Sequence, residues 1–337
     1  MKIYYDYNLK IAHPRILQNG INLLPNIEPI FQSKFGRIGM YLKKPDLIWQ
    51  FSIRDLKINW ISHIECLQDN IYSIKTRKRI IKAIMSKNCK KIFTLSKIAK
   101  NAFDFLDLPT DKVDVLYPSI MPNKKKEHSE KDKVSLLFVV GINKAFNLKG
   151  GRELLESFNI LKKEFRKLRL IIIGECYKTE TIKDAHFMGH IPRERLLNEI
   201  YPKADILIQP THIDSFGFSL VEAMSFGLPI ISTKHFAIPE FIKYGTNGFL
   251  IKDIEKKWYD SNSVAKEEHI GWYKKDDVIY TKEEFESSVE ELTKSIRKLI
   301  VNPRLRQKMG NMNFKEVSNG KFSFKERNKK LMEIYDN

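Results

Sequence analysis

The second half of the chain alternates short apolar runs with longer segments in which apolar residues recur every three or four positions. Short continuous apolar runs are typical of strands buried on both faces of a parallel sheet. Four such runs stand out, at 136–140, 170–173, 206–208 and 230–231. The segments between and after them predict helices over 152–165, 193–201, 220–226 and 239–243. This alternation predicts a doubly wound α/β domain, in which ligands bind at the carboxyl ends of the strands.

The first half repeats the alternation less regularly. Its apolar runs predict strands at 47–51, 58–62, 91–95 and 113–117, with helices over 75–86 and 97–106. The polar run 123–133 follows Pro122 and holds almost no apolar residue, which is typical of a linker. We therefore expect two doubly wound domains, over residues 1–122 and 134–322.

The C-terminal part interrupts the pattern and then returns to it. Residues 253–281 form an inserted excursion in this interpretation, and its aromatic residues either pack internally or contact a substrate or partner. Beyond it the pattern predicts three further helices, over 283–300, 304–317 and 325–335.

Composition excludes several classes of protein. Of the 337 residues, 42% are hydrophobic and 11% aromatic, which is typical of a folded chain. No apolar run approaches the roughly 18 residues of a membrane span, and the N-terminus lacks a signal-peptide core, so we expect a cytoplasmic protein. The three cysteines are scattered and are expected to be reduced. No Asp-x-Asp pair or metal-ligand spacing occurs, so no metal is expected.

The net charge of +18 is concentrated in the first half, where residues 1–133 hold 25 Lys and Arg against 13 Asp and Glu. A solvated lysine-rich surface is the simplest interpretation. Anionic membrane surfaces and nucleic acids are the alternative partners of such a surface. The basic clusters are not interleaved with an aromatic strand or a helix-turn-helix, which disfavours nucleic acid. Beyond the solvated surface, we expect peripheral contact with an anionic membrane and no nucleic-acid partner.

The segment 204–251 holds the candidate chemistry. Asp214 and Glu222, eight positions apart, flank a loop in which Gly217 lets backbone approach a ligand and Ser219 can cap the next helix. The start of a helix attracts anions such as a diphosphate, and carboxylates accept hydrogen bonds from vicinal hydroxyls. The pattern suits a nucleotide sugar. The alternative is a plain turn and cap, with Glu222 completing a capping box.

The same segment resembles the donor-binding signature of the family 4 retaining glycosyltransferases of the GT-B fold. Where the family usually has a first glutamate this chain has Asp214, and where it usually has two glycines this chain has Phe236-Ala237. The matching elements are Asp214, Glu222-Ala223-Met224, Gly227-Leu228-Pro229 and Pro239-Glu240. The resemblance implies two Rossmann-like domains facing across a cleft, with the final helix, about 323–337, crossing back onto the first domain.

The resemblance also implies a reaction. It implies a retaining, metal-independent transfer of a sugar from a nucleotide diphosphate donor to an acceptor hydroxyl by front-face attack, with no cofactor. The acceptor would be a glycan, a lipid-linked molecule or a protein. Lys149 would hold the leaving diphosphate, Glu222 the ribose and Asp214 the sugar.

His63, at the end of a predicted strand, either orients the donor sugar or takes part in proton transfer from the acceptor, or it is a hydrogen-bonded structural histidine. The family's arginine after Gly141 is missing, and Lys144 or Arg152 is the candidate substitute. The catalytic candidates are Asp214, Lys149 and His63. The donor-binding candidates are Gly141, Asn143, Lys149, His190, Ile191, Asp214, Ser215, Phe216, Gly217, Phe218, Ser219 and Glu222.

Two other classes of function stay open from the sequence. One is a nucleotide-sugar-binding protein that has lost catalysis. The other, which we favour less, is a nucleic-acid-binding protein acting through the basic half, whose affinity would fall steeply with salt.

Overall fold

The computed structural model describes residues 2–5, 28–31, 45–50, 52–67, 73–123, 133–141, 146–174, 182–252 and 281–335. The described residues fall into two compact units. The first unit holds those of 1–121 and 319–337, and the second holds those between 122 and 318. Most of the expected linker, at 124–132, and the expected excursion, at 253–280, lie outside the described residues.

The first unit is built on a parallel sheet with the strand order β2-β1-β3-β4-β5-β6. Its strands are β1 (Lys2–Tyr5), β2 (Glu28–Phe31), β3 (Leu47–Gln50), β4 (Trp60–Ile64), β5 (Cys89–Thr94) and β6 (Val113–Val115). Two helices follow β4 and β5, namely α1 (Ile74–Met85) and α2 (Lys97–Phe105). The strand predicted at 58–62 begins later, because its pairing with both neighbours starts at Trp60. The sequence pattern did not predict β1 and β2.

The second unit is also a parallel sheet, with the strand order β12-β11-β10-β7-β8-β9. Its strands are β7 (Ser135–Gly141), β8 (Arg169–Gly174), β9 (Ala185–Phe187), β10 (Ile206–Gln209), β11 (Ile230–Thr233) and β12 (Gly248–Ile251). Its helices are α3 (Gly151–Glu164), α4 (193–203, with π and 3-10 turns), α5 (Phe218–Ser225), α6 (Lys282–Ile300) and α7 (Pro303–Ser318). The strand order reverses between β7 and β10, which is where sheets of this kind bind ligands.

The helix predicted over 239–243 is only a single 3-10 turn, Ile238–Glu240. The side chain of Asn247 explains the early stop. Its Oδ1 accepts from the Lys243 amide at 2.7 Å and its Nδ2 donates to the Phe241 carbonyl at 2.9 Å. These bonds replace those of a further helical turn, and β12 follows directly.

The last helix, α8 (Phe324–Tyr335), packs within the first unit although it closes the chain. Lys330 Nζ donates to the Val115 carbonyl at 2.9 Å. The Arg327 guanidinium lies 5.7 Å from the centre of the buried Trp49 ring. This helix therefore belongs to the same compact unit as the N-terminal strands. In the part of the chain that the structure describes, every helix is too short or too polar to cross a membrane.

Candidate functional site

Lys149 and Asp214 meet at the point where the strand order of the second sheet reverses. Lys149 lies in the turn before α3, which follows β7, and Asp214 lies in the loop after β10. Lys149 Nζ donates to Asp214 Oδ2 at 2.8 Å and to the Ile213 carbonyl at 2.7 Å. Each side chain keeps 14% of its surface exposed. The fold thus joins two of the predicted residues at the end of the sheet where ligands bind.

Asp214 also organises the loop that follows it. Its Oδ1 accepts from the amides of Phe216 at 3.1 Å and Gly217 at 2.7 Å. Burial raises the pKa of this carboxyl, but the charge and hydrogen bond of Lys149 and the two amides outweigh burial and hold the pKa below its usual 3.8. Asp214 therefore stays ionised at neutral pH.

Helix α5 begins differently from the prediction. Its N-cap is Gly217, in the left-handed region at φ 94°, and the helix starts at Phe218. Ser219 is not the cap, because it lies inside the helix and its hydroxyl donates to Gln209 Oε1 at 2.6 Å. The capping-box alternative is wrong for the same reason. Asp214 accepts from the two amides that precede the helix, so its carboxylate fixes the loop leading into α5, and no side chain caps the helix itself.

Glu222 lies on α5 and is almost fully buried, with 3% of its side chain exposed. Its Oε1 accepts from Arg193 Nη2 at 3.0 Å and Nε at 3.3 Å. Its Oε2 accepts from the Tyr201 hydroxyl at 3.2 Å. Arg193 and Tyr201 both lie on α4, and neither is among the sequence candidates, because nothing local links them to Glu222. Arg193 is partly exposed, so the pair presents a cation beside the buried carboxylate.

The remaining candidates of the second unit occupy varied positions. Gly141 ends β7, and Ser215 is partly exposed in the loop after Asp214. Phe216 is fully buried, with its ring centre 5.3 Å from that of Phe218 and 5.4 Å from that of Phe241. Phe216 is thus a packing anchor of the loop through its side chain.

His190 and Ile191 lie in the loop after β9, which ends at Phe187. His190 is exposed and Ile191 is buried. Asn143 and Lys144 lie outside the described residues. Arg152 lies with its guanidinium 5.5 Å from the centre of the Phe285 ring, on the side of α3 that faces α6.

His63 belongs to the first unit, on β4, with 2% of its surface exposed. Its ring centre lies 6.1 Å from that of Trp49 and 6.2 Å from that of Phe93. The imidazole is thus enclosed by aromatic rings in the core of the first unit. Its role toward a donor or acceptor stays a prediction.

Phe236 has an unusual backbone conformation near the end of β11. Its φ is 40°, in the left-handed region that favours glycine. This is the place where the family signature usually has two glycines, so a bulky residue holds the backbone shape that glycine would give. A Phe in this conformation is strained by about 1–3 kcal/mol, which the surrounding structure must offset.

Two parallel α/β sheets in separate units give this chain the GT-B fold, which solved glycosyltransferase structures such as that of WaaG share. The fold of crystallised Anabaena HepE, in complex with UDP and glucose, matches with a TM-score of 0.67 at 13% identity over 100% of this chain and 99% of that one. Residues 121–258 match the family described as Glycosyl transferases group 1.

Two relatives in sequence are named as a glycosyltransferase and a mannosyltransferase. The amylovoran biosynthesis glycosyltransferase AmsK of Erwinia amylovora is 22% identical over 267 residues, covering 73% of this chain and 63% of the relative. The O-antigen chain mannosyltransferase RfbU of Salmonella typhimurium is 26% identical over 188 residues, covering 53% and 52%. The matches thus span less than two thirds of these relatives' own lengths.

Proposed function

We propose that this protein is a retaining glycosyltransferase that moves a sugar from a nucleoside diphosphate sugar to an acceptor hydroxyl. The observation that carries the proposal is the Lys149–Asp214 contact at the strand-order reversal, next to the start of α5. A lysine at that place can meet a diphosphate, and a carboxylate beside it can accept from sugar hydroxyls. The UDP and glucose bound to HepE support this class of donor.

Each polar group has a role in the proposed donor complex. Lys149 exchanges part of its contact with Asp214 for a diphosphate oxygen, which leaves an Asp214 oxygen to accept from the transferred sugar. Glu222 accepts from the ribose hydroxyls, and Arg193 holds its carboxylate in place. The Phe216 and Gly217 amides, assigned to the donor from the sequence, act in this proposal through Asp214.

The proposed chemical step is a front-face displacement. The bond between the anomeric carbon and the phosphate oxygen breaks, and its electron pair goes to the leaving diphosphate. The acceptor oxygen bonds to the anomeric carbon from the same face, and the acceptor proton passes to a phosphate oxygen. Lys149 stabilises the charge that develops on the diphosphate, so the proposal requires neither a metal nor a cofactor.

The acceptor is proposed to be a glycan, in line with the amylovoran and O-antigen chains named for the two relatives. Lipid-linked and protein acceptors belong to the same proposal, because each offers a hydroxyl to the same displacement. The first unit, with His63 on β4, would supply the acceptor contacts.

Donor hydrolysis without acceptor tests the proposal directly. We expect wild-type protein to release a nucleoside diphosphate slowly from one member of a panel of nucleotide sugars, in the presence of EDTA. Proton NMR of the first sugar released should show the anomeric configuration of the donor. Lys149→Ala and Glu222→Ala should each lower the rate at least about 100-fold, since each removes a group that contacts the donor.

The matched control is Lys282→Ala, which removes an exposed lysine from the start of α6. It should hydrolyse the donor at the wild-type rate. Inverted product or full activity in both site variants would refute the proposal. Donor binding without any hydrolysis or transfer would instead identify a nucleotide-sugar-binding protein.

We further propose that the first unit contacts anionic membrane through α1. Four of its cations follow the spacing i, i+3, i+4, i+7, which places them on one face of the helix. All four are exposed, and the flanking Ile74 and Met85 expose 73% and 66% of their surfaces. A basic face with exposed apolar residues at its ends fits the boundary of an anionic bilayer. The four cations are Lys75, Lys78, Arg79 and Lys82.

A further inference from the structure

A second, buried pair of side chains lies on the same two chain segments as Lys149 and Asp214. Glu153 Oε1 and His212 Nε2 are 2.8 Å apart, and the two side chains expose 1% and 0% of their surfaces. Glu153 lies in the first turn of α3, and His212 lies in the loop after β10. The pair therefore joins the two chain segments that carry the proposed donor-binding residues.

The two segments contact each other closely around this pair. The His212 amide donates to the Leu148 carbonyl at 2.8 Å. Gly150 packs so closely against the loop after β10 that a Cβ atom on residue 150 would collide with the Pro210 carbonyl. Glu153 is four positions after Lys149, and His212 is two positions before Asp214. A shift of either segment would thus change the distance between the lysine and the carboxylate.

Stability alone does not explain a buried pair of this kind. Removing a carboxylate and an imidazole from water costs free energy, and apolar replacements of similar volume are often neutral or stabilising. Glu153 Oε2 adds to the cost, since it is buried and meets no hydrogen-bond partner among the described residues. A hydrogen-bonded pair does, however, fix one relative placement of two segments, which packing of apolar side chains specifies less strictly.

We propose that Glu153 and His212 are a positioning pair that sets the placement of Lys149 relative to Asp214. Neither residue needs to touch the donor. The pair acts by tying the first turn of α3 to the loop after β10, so that the lysine and the carboxylate present their charges in one geometry. The expected effect on kcat rests on the proposed transferase function. The expected effect on the distance between Lys149 and Asp214 rests on the structure alone.

The test replaces both members together by Leu, which removes the tie without leaving a buried charge. Glu153→Leu/His212→Leu should keep or raise the wild-type Tm. Its kcat for donor hydrolysis should fall at least tenfold while KM changes less than threefold. In crystals of this variant, the distance between Lys149 Nζ and Asp214 Oδ2 should exceed 4 Å. If the pair were purely structural, its replacement would change neither kcat nor this distance.

Two further variants make the result decisive. Glu153→Gln keeps the volume and an acceptor for His212, so it should keep at least half of the wild-type kcat. Glu164→Leu/Arg297→Leu removes the exposed ion pair at the other end of α3 and should leave kcat unchanged.

Either of two results would overturn the positioning role. One is a stable double-Leu variant with wild-type kcat and geometry, and the other is a tenfold loss of kcat in Glu153→Gln at unchanged Tm. The Glu153→Gln measurement still tests the role if the double variant fails to fold. Absence of hydrolysis in the wild type would count against the proposed function, and the Lys149–Asp214 distance in the variant crystals would then decide the positioning role alone.

Discussion

At the scale of single residues, the Asp214 carboxylate uses both of its oxygens to hold the site together. One of its oxygens holds Lys149 and the other holds the two amides that precede α5. The same carboxylate thus fixes a cation and the start of a helix. Charge-assisted hydrogen bonds of this kind are stronger than neutral ones, particularly away from water.

Asp214→Asn should destabilise the protein at pH 7, by about 1–3 kcal/mol, because it weakens the contacts to Lys149 and the loop amides. The folded pKa of Asp214 is lowered, so its stabilising contribution is complete above its unfolded pKa of about 3.9 and is lost as pH falls through the folded value. Urea unfolding at pH 7 and at successively lower pH should show the difference between wild type and variant shrinking below about pH 4.

The control for this measurement is Asp107→Asn, which alters a carboxylate with 91% of its side chain exposed. Asn tolerates the positive φ of that position, so the substitution adds no backbone strain. We expect no comparable pH dependence there. A difference for Asp214→Asn that stays constant down to pH 3 would contradict the ionic role of the carboxylate.

The sequence identifies residues whose chemistry and local pattern agree, and it misses partners that are distant along the chain. Asp214 and Glu222 were found because both flank a glycine loop. Arg193 lies 29 positions from Glu222, and no periodicity relates them. Ser219 was assigned to the N-cap because serine favours that position. In the structure the helix begins two residues earlier, with Gly217 at the N-cap in a left-handed conformation.

At the scale of elements, helix α1 has one buried apolar face and one exposed basic face. Its buried residues Ile80, Ala83 and Ile84 pack inward, while its four-cation stripe faces solvent. The pattern of apolar residues predicted this helix to within one residue at each end, since both faces were encoded locally. The strands β1 and β2 were not predicted, although they pair with each other and β1 pairs with β3.

Replacing the four cations of α1 by Gln should weaken binding to anionic vesicles. Each Lys or Arg near such a surface contributes about 1 kcal/mol, so affinity should fall by about two to three orders of magnitude at low salt. Co-sedimentation with phosphatidylserine-containing and pure phosphatidylcholine vesicles measures the effect. Wild type should bind only the former, and salt should reverse the binding.

The control variant removes four exposed cations from the second unit, so that the change in net charge is matched. Those cations are Lys294, Arg304, Lys308 and Lys315, each replaced by Gln. Equal loss of vesicle binding in both variants would show that total charge, and not the α1 face, governs membrane contact.

At the scale of the whole molecule, the chain builds two parallel sheets and returns its last helix to the first unit. The GT-B fold predicted from the resemblance is confirmed by solved structures of low sequence identity. The strands β7, β8, β10 and β11 were readable because each contains a continuous apolar run, whereas β12 was not predicted. The topology places β7 beside β10, and that adjacency brings Lys149 to Asp214 across 65 positions of sequence.

The most direct test of the central claim is calorimetric titration of the protein with nucleoside diphosphates of the common bases. We expect one of them to bind wild type and Lys282→Ala equally, without added metal, and to bind Lys149→Ala at least about tenfold more weakly, because the lysine supplies a charge-assisted contact. Equal affinity for Lys149→Ala and wild type, or no binding of any nucleoside diphosphate to wild type, would contradict the account.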